Sequence, residues 1–170
     1  DKSGFKLSKI QTALVGLATV TTASSIAKMA DDYRAMSERV LGASESLEEF
    51  NLVQARLLES ANKTFRPLAE AQELFIATSG NLRDYGFSVE EALDITDSLS
   101  YGFVRNAASS DKAATAIRNY DAVLSTGKVN ANQWLAISSA VDTLAIDMGK
   151  TFNLTAREID ALGFSGQITA

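Results

Sequence analysis

Four positions carry a capping residue followed three places later by glutamate or glutamine: Ser46 with Glu49, Ser88 with Glu91, Asn130 with Gln133 and Thr155 with Glu158. That spacing is the reciprocal signature of a helix N-terminus. The cap oxygen accepts from the backbone N–H three residues on, and the longer side chain reaches back to the cap's own N–H. Each pair precedes an apolar run of helical period, so each marks a helix start. Stops are legible at Gly42, Gly86, Gly127, Gly149 and Gly163, because glycine enters the left-handed conformation that closes a helix. Pro67 suits the first turn of another helix, and Asp111 can cap one more. The chain has one proline in 170 residues and is rich in Ala, Leu, Glu and Ser, which favours long helices over a turn-rich β-fold. Helices are expected near 5–41, 46–64, 67–85, 88–107, 111–126, 131–148 and 155–162. No window alternates with period two and β-branched enrichment, so no sheet is expected. The fold class is all-α: a multi-helix bundle, or a short helical-hairpin array, with a long N-terminal amphipathic helix.

Ser46, Ser88 and Asn130 follow one another at intervals of 42 residues. Written in rows at that offset, apolar columns align: Phe50/Ala92/Trp134, Val53/Ile95/Ile137, Leu57/Leu99/Val141 and Phe75/Ile117/Ile159. A repeated helical hairpin has a period of this size. Successive similar helices also produce such columns by coincidence, so the repeat is an expectation for the structure to test.

The charge is unevenly spread. Residues 1–30 set Asp1 against Lys2, Lys6, Lys9 and Lys28, whereas the remainder of the chain is acidic and the whole carries −5. An acidic body lacks the basic face of a nucleic-acid-binding domain, so no specific nucleic-acid recognition is expected. Two regions follow: 1–43, a basic and apolar amphipathic helix that is coiled-coil-like or seeks a partner or a membrane, and 44–170, an all-α domain. Leu7, Ile10, Leu14 and Leu17 fall at alternating spacings of three and four, the rhythm of a coiled-coil seam. Ile26, Met29, Tyr33, Met36 and Val40 resume it in a shifted phase. These nine residues form the candidate helix-association face, and the phase slip in the Thr- and Ser-rich stretch between them changes supercoiling or bends the helix. The charge-free run from Ile10 to Ala27 is diluted by Gln11, Thr12, Thr19, Thr21, Thr22, Ser24 and Ser25, a poor fit to a membrane span. Lys28 stands where a secretory signal would carry its small-residue cleavage site. A chain that begins at Asp1 without Met is expected to be part of a longer protein.

Cysteine and histidine are both absent. Cysteine nucleophiles, disulfides, Cys/His zinc sites and histidine-centred triads are thereby excluded. Nucleotide- and calcium-binding motifs are missing too. The carboxylate pairs Asp31–Asp32, Glu48–Glu49 and Glu90–Glu91 are adjacent along helices, not opposed across a cleft as a glycosidase requires. Two of them sit in first turns, where they complement the helix dipole. Trp134 and Tyr120 are read as core anchors. Met29 and Met36 are read as core filling, or as an adaptable partner surface. No catalytic residue, metal site or cofactor is expected, and the chain is not read as an enzyme.

The order of motifs resembles the N-terminal region of phage and prophage tail tape measure proteins. Tyr85-Gly86-Phe87-Ser88-Val89-Glu90-Glu91-Ala92 is similar to that family's Gly-x-Ser helix start with an acidic pair. A small-residue stretch, Asn106-Ala107-Ala108-Ser109-Ser110, follows. Ala122-Val123-Leu124-Ser125-Thr126-Gly127-Lys128-Val129 resembles the family's Ala/Leu helix ending in Ser-Gly-Lys, with Thr126 inserted. Leu154-Thr155-Ala156-Arg157-Glu158-Ile159-Asp160-Ala161-Leu162 fits its Leu-Thr-x-x-Glu-Ile-x-x-Leu helix. Gly166-Gln167-Ile168-Thr169 departs from the usual Gly-Lys-Ile-Thr close at Gln167, and Asn132-Gln133-Trp134 replaces an acidic residue and Phe.

The resemblance implies a long helical structural protein of the virion, lying in the lumen of the tail tube after assembly in the host cytoplasm. It implies that chain length sets tail length and that the protein leaves with or ahead of the DNA at ejection. The implied partners are copies of itself in an oligomeric helical bundle, the tail tube, tail tip and tail assembly proteins, and the host membrane at ejection. A membrane-active helical protein and a helical-repeat adaptor in a cellular complex are the alternatives.

Overall fold

The computed structural model describes the backbone of residues 23–169 and the side-chain environment of residues 28–169. The described residues form eight helices: α1 Ala23–Gly42, α2 Leu47–Thr64, α3 Leu68–Asp84, α4 Val89–Arg105, α5 Ser110–Thr126, α6 Ala131–Ser138, α7 Leu144–Phe152 and α8 Ala156–Phe164. The chain divides into two units, residues 1–35 and residues 36–170. The second unit holds the last turns of α1 and all of α2–α8.

The four expected cap pairs are the real ones. Ser46 accepts from Glu49 N–H, Ser88 from Glu91, Asn130 from Gln133 and Thr155 from Glu158. Three of the four close the reciprocal bond. At Ser46 the return bond is absent, because the Glu49 carboxylate is taken by Arg83 of α3. A tertiary ion pair has displaced a local one. Ser88→Ala, which breaks a complete box, is expected to cost about 1 kcal/mol, read as a lower urea midpoint with the slope unchanged. An unchanged midpoint would show that the box does not hold α4.

Four expected boundaries are corrected. The cap of α5 is Ser109, which accepts from Lys112 N–H, and Asp111 sits in the first turn instead. Gly149 and Gly163 do not end helices; they lie inside α7 and α8, where the missing side chain admits close neighbours. The single helix expected over 131–148 is two, parted by a turn at residues 139–143. The turn is held from outside: Asn106, at the end of α4, accepts from Thr143 N–H at 3.1 Å. Ala140 and Val141 of the turn are buried against Leu74, Phe103 and Ile117. Burying those two side chains and satisfying the freed N–H offset the lost helical bonds.

The 42-residue offset is visible in the backbone. α2 and α4 begin 42 residues apart, and α3 and α5 both begin and end at that offset. The turns between them also correspond. Phe65 and Ala107 both have left-handed backbone, at φ 53° and 49°. Arg66 N–H donates to Ala61 O, and Ala108 N–H to Phe103 O. Thr64 and Asn106 each close the preceding turn onto a carbonyl four residues back. The third row starts in register at Ala131 and then breaks into the three short helices α6–α8.

First helices stack on first helices and second on second, α2 against α4 and α3 against α5, with α3 also packed on α2 and α4. Polar links cross the same joints. Arg56 bridges to Asp94 and Asp97 at 2.8 and 2.7 Å, and Asn81 donates to Asp121 at 2.9 Å. The core runs along the array in three clusters. The first holds Val40, Val53, Leu57, Phe75, Leu82 and Leu93; the second centres on Leu74, Phe103 and Ile117; the third on Val123, Trp134, Ile137 and Ile159. Tyr120 packs against the first and third, and burial raises its phenol pKa. An antiparallel bridge between Lys128 and Thr169 closes the end of the chain onto the loop before α6.

Candidate functional site

Leu7, Ile10, Leu14 and Leu17 lie outside the described residues, and Ile26 is described only as backbone within α1. The rest of the stripe divides. Met29 is exposed, Tyr33 and Met36 are half-buried, and Val40 is fully buried beside Val53, Leu57 and Phe75. Its lower end is therefore core, which a helical period alone does not distinguish from an association seam. Beside it, Arg39 pairs with Glu73 at 2.7 Å and fixes the last turns of α1 to α3.

The carboxylate pairs are structural where their partners are visible. Glu48 and Glu49 occupy the first turn of α2, and Glu90 and Glu91 that of α4, with Glu91 closing its capping box. Asp31 and Asp32 are exposed on α1.

A recess of ≈ 300 Å³ opens between α2 and α4, lined by Arg56, Glu59, Ser60, Lys63, Asp97 and Tyr101. Hydrogen bonds to Asp97 and then Asp94 raise the Arg56 pKa, and the Lys63 bond lowers Glu59 while Lys63 rises. General acid–base work needs a group poised near the working pH. Each of these shifts moves its group further from neutrality, locking the charged forms together. A second recess, of ≈ 420 Å³, lies at the α7–α8 junction around Ile146, Gly149, Leu154 and Ala156. Among the described residues no three carboxylates are grouped to hold a metal ion, and no described helix is long and apolar enough to cross a membrane.

Two residues important to the fold escaped sequence reading. Arg66 forms a two-point pair with Glu70, donates to Ala108 O at 2.8 Å and lies 5.7 Å from the Phe103 ring centroid. Its position just before the proline carries no signal of this role. Gly163 receives the indole of Trp134, whose Nε1 donates to Asp160 at 3.1 Å. Trp134 is thus the core anchor expected of it.

Described side chains therefore cap helices, clamp helix layers together or fill the core, in an all-α array whose motifs fall in the order noted above. No curated protein and no solved structure matches the chain. The family model described as tape measure protein matches residues 24–170. That span covers α2–α8 and nearly all of α1, and the chain belongs to the tape measure protein family, structural proteins of the phage tail.

Proposed function

We propose that this chain is a helical region of a tape measure that sets tail-tube length during assembly and leaves with or ahead of the DNA at ejection. The family match over residues 24–170 carries the reading. Its place is the lumen of the tail tube, after assembly in the host cytoplasm. Its partners are copies of itself, the tail tube, tip and assembly proteins, and the host membrane at ejection. Met29, Tyr33 and Met36 on α1 serve self-association, continuing the stripe of Leu7, Ile10, Leu14, Leu17 and Ile26; Val40 of the same stripe anchors α1 to the core.

A ruler makes length measurable. Excising Ser88–Val129 in frame removes one 42-residue period and joins Phe87 to Asn130, one cap residue replacing another. Helices laid end to end advance about 1.5 Å per residue, so tails would shorten by roughly 63 Å in electron micrographs. A smaller, reproducible shortening would mean that the hairpins stay packed within the tube. Tails of unchanged length would sink the proposal.

A further inference from the structure

The third row of the array is far less deeply rooted than the first two. α3 buries seven residues, Leu74, Phe75 and Leu82 among them. α7 buries Ala145 and Gly149, and α8 buries Ile159 and Gly163. Ile159 is the one large side chain of those four. Ile146, Phe152, Leu154 and Phe164 in the same stretch stay exposed. At nine residues each, α7 and α8 are too short to persist without packing. Burial of apolar surface is what holds such helices in place, and here it is small.

The packing of that row also runs in one direction. α7 packs principally on α8, and α8 on α6, whereas α6 packs on α5 and α5 on α3. Towards α4, α7 offers half-buried Leu144 and the Arg105–Asp147 pair at 3.1 Å, whose side chains are 61% and 40% exposed. An ion pair so open to water adds little. The far end of α8 is fastened by a strap. Val129 N–H donates to Ile168 O at 3.0 Å, Lys128 and Thr169 form the antiparallel bridge, and the Ile168 side chain packs half-buried on the third core cluster.

We propose that α7, α8 and the strap at 165–169 form a latch that opens as one unit while α2–α5 stay folded. Rows of a stacked array are stabilised by their neighbours, so the row with the least burial leaves first, as a cooperative part of the domain. Its members leave together because α7 rests on α8 and the strap pins α8 down. Opening uncovers Val123, Trp134 and Ile137, the other half of the third cluster, an apolar face that the closed domain hides. The latch follows from packing alone and goes beyond the ruler reading.

The test is native-state hydrogen exchange by NMR on the 170-residue chain, over a series of sub-denaturing urea concentrations. The hydrogen-bonded amides of α7 and α8, with the Val129 N–H, should exchange through one opening that shares a single urea dependence. That opening should occur at least about a hundredfold more often than the one that frees the amides of α3. Ile168→Ala should raise its frequency about tenfold and leave α3 unchanged. Trp134, the only tryptophan, faces the latch from α6, so its emission should shift to the red at a lower urea concentration than the loss of helical circular dichroism. Amides of α7 and α8 that open only together with α3 overturn the proposal. So does fraying amide by amide with no shared urea dependence, an Ile168→Ala effect spread equally over α3, or emission and dichroism curves that coincide.

Discussion

Gly163→Ala should destabilise the domain by about 3 kcal/mol, detaching α8 from α6. A Cβ on Gly163 would overlap Trp134 Cδ2 and lie 2.5 Å from Cγ and Cε2, well inside van der Waals contact. The indole has nowhere to retreat. Trp134 is buried among Val123, Ile137 and Ile159, and its Nε1 is tied to Asp160. Either the ring leaves its rotamer or the two helices part, and both forfeit packing in the third core cluster. Trp134 is the only tryptophan in the chain, so its emission reports on this contact directly. A red-shifted spectrum with a lower urea midpoint is the expected pair of results. Native emission with an unchanged midpoint would show that α8 yields without cost.

Arg66→Ala should cost about 3 kcal/mol, although the residue stands in a turn. The side chains of Arg66 and Glu70 are only 14% and 11% exposed. Removing the guanidinium leaves a largely buried carboxylate with no cation. It also strips the Ala108 carbonyl of its donor and uncovers the Phe103 ring. Because Ala108 belongs to the next hairpin, the loss falls on the joint between repeats. Arg66→Lys should not rescue it, since a single ammonium cannot replace a planar fork that binds both carboxylate oxygens and a carbonyl. The double variant Arg66→Ala with Glu70→Leu should recover part of the loss, because no buried charge is then orphaned. Denaturant titration of the parent, Arg66→Ala, Glu70→Leu and the double variant forms a double-mutant cycle. Near-zero coupling, or a single variant within 0.5 kcal/mol of the parent, would count against the staple.

Both predictions rest on tertiary neighbours, whereas the helical layout rests on local chemistry. A cap oxygen acts on an N–H three residues away, so Ser88, Asn130 and Thr155 were legible without knowledge of the fold. The same holds for Gly86 and Gly127, whose positive φ belongs to the turn itself. Gly149 and Gly163 are the instructive exceptions. Glycine serves equally to end a helix and to admit a close neighbour, and only the neighbour decides which. At Gly149 it is the Leu154 carbonyl, 2.5 Å from where a Cβ would stand; at Gly163 it is the indole.

The candidate surface divides in the same way. Helical period places Met29, Tyr33, Met36 and Val40 on one stripe, yet Val40 is core and Met29 is exposed. Periodicity reports which side chains share a face but not what covers that face.

What the sequence alone determined is therefore the helical class, four of the helix starts and the motif order shared with tape measure proteins. Each is carried by interactions within a few residues, or by the linear order of the chain. The split of 131–148 into α6 and α7, the diversion of Glu49 to Arg83, the Arg66 staple and the Trp134–Gly163 contact were decided by tertiary structure. Each joins groups that neighbour one another only after the helices stack, and burial then sets the balance between a local bond and a distant one.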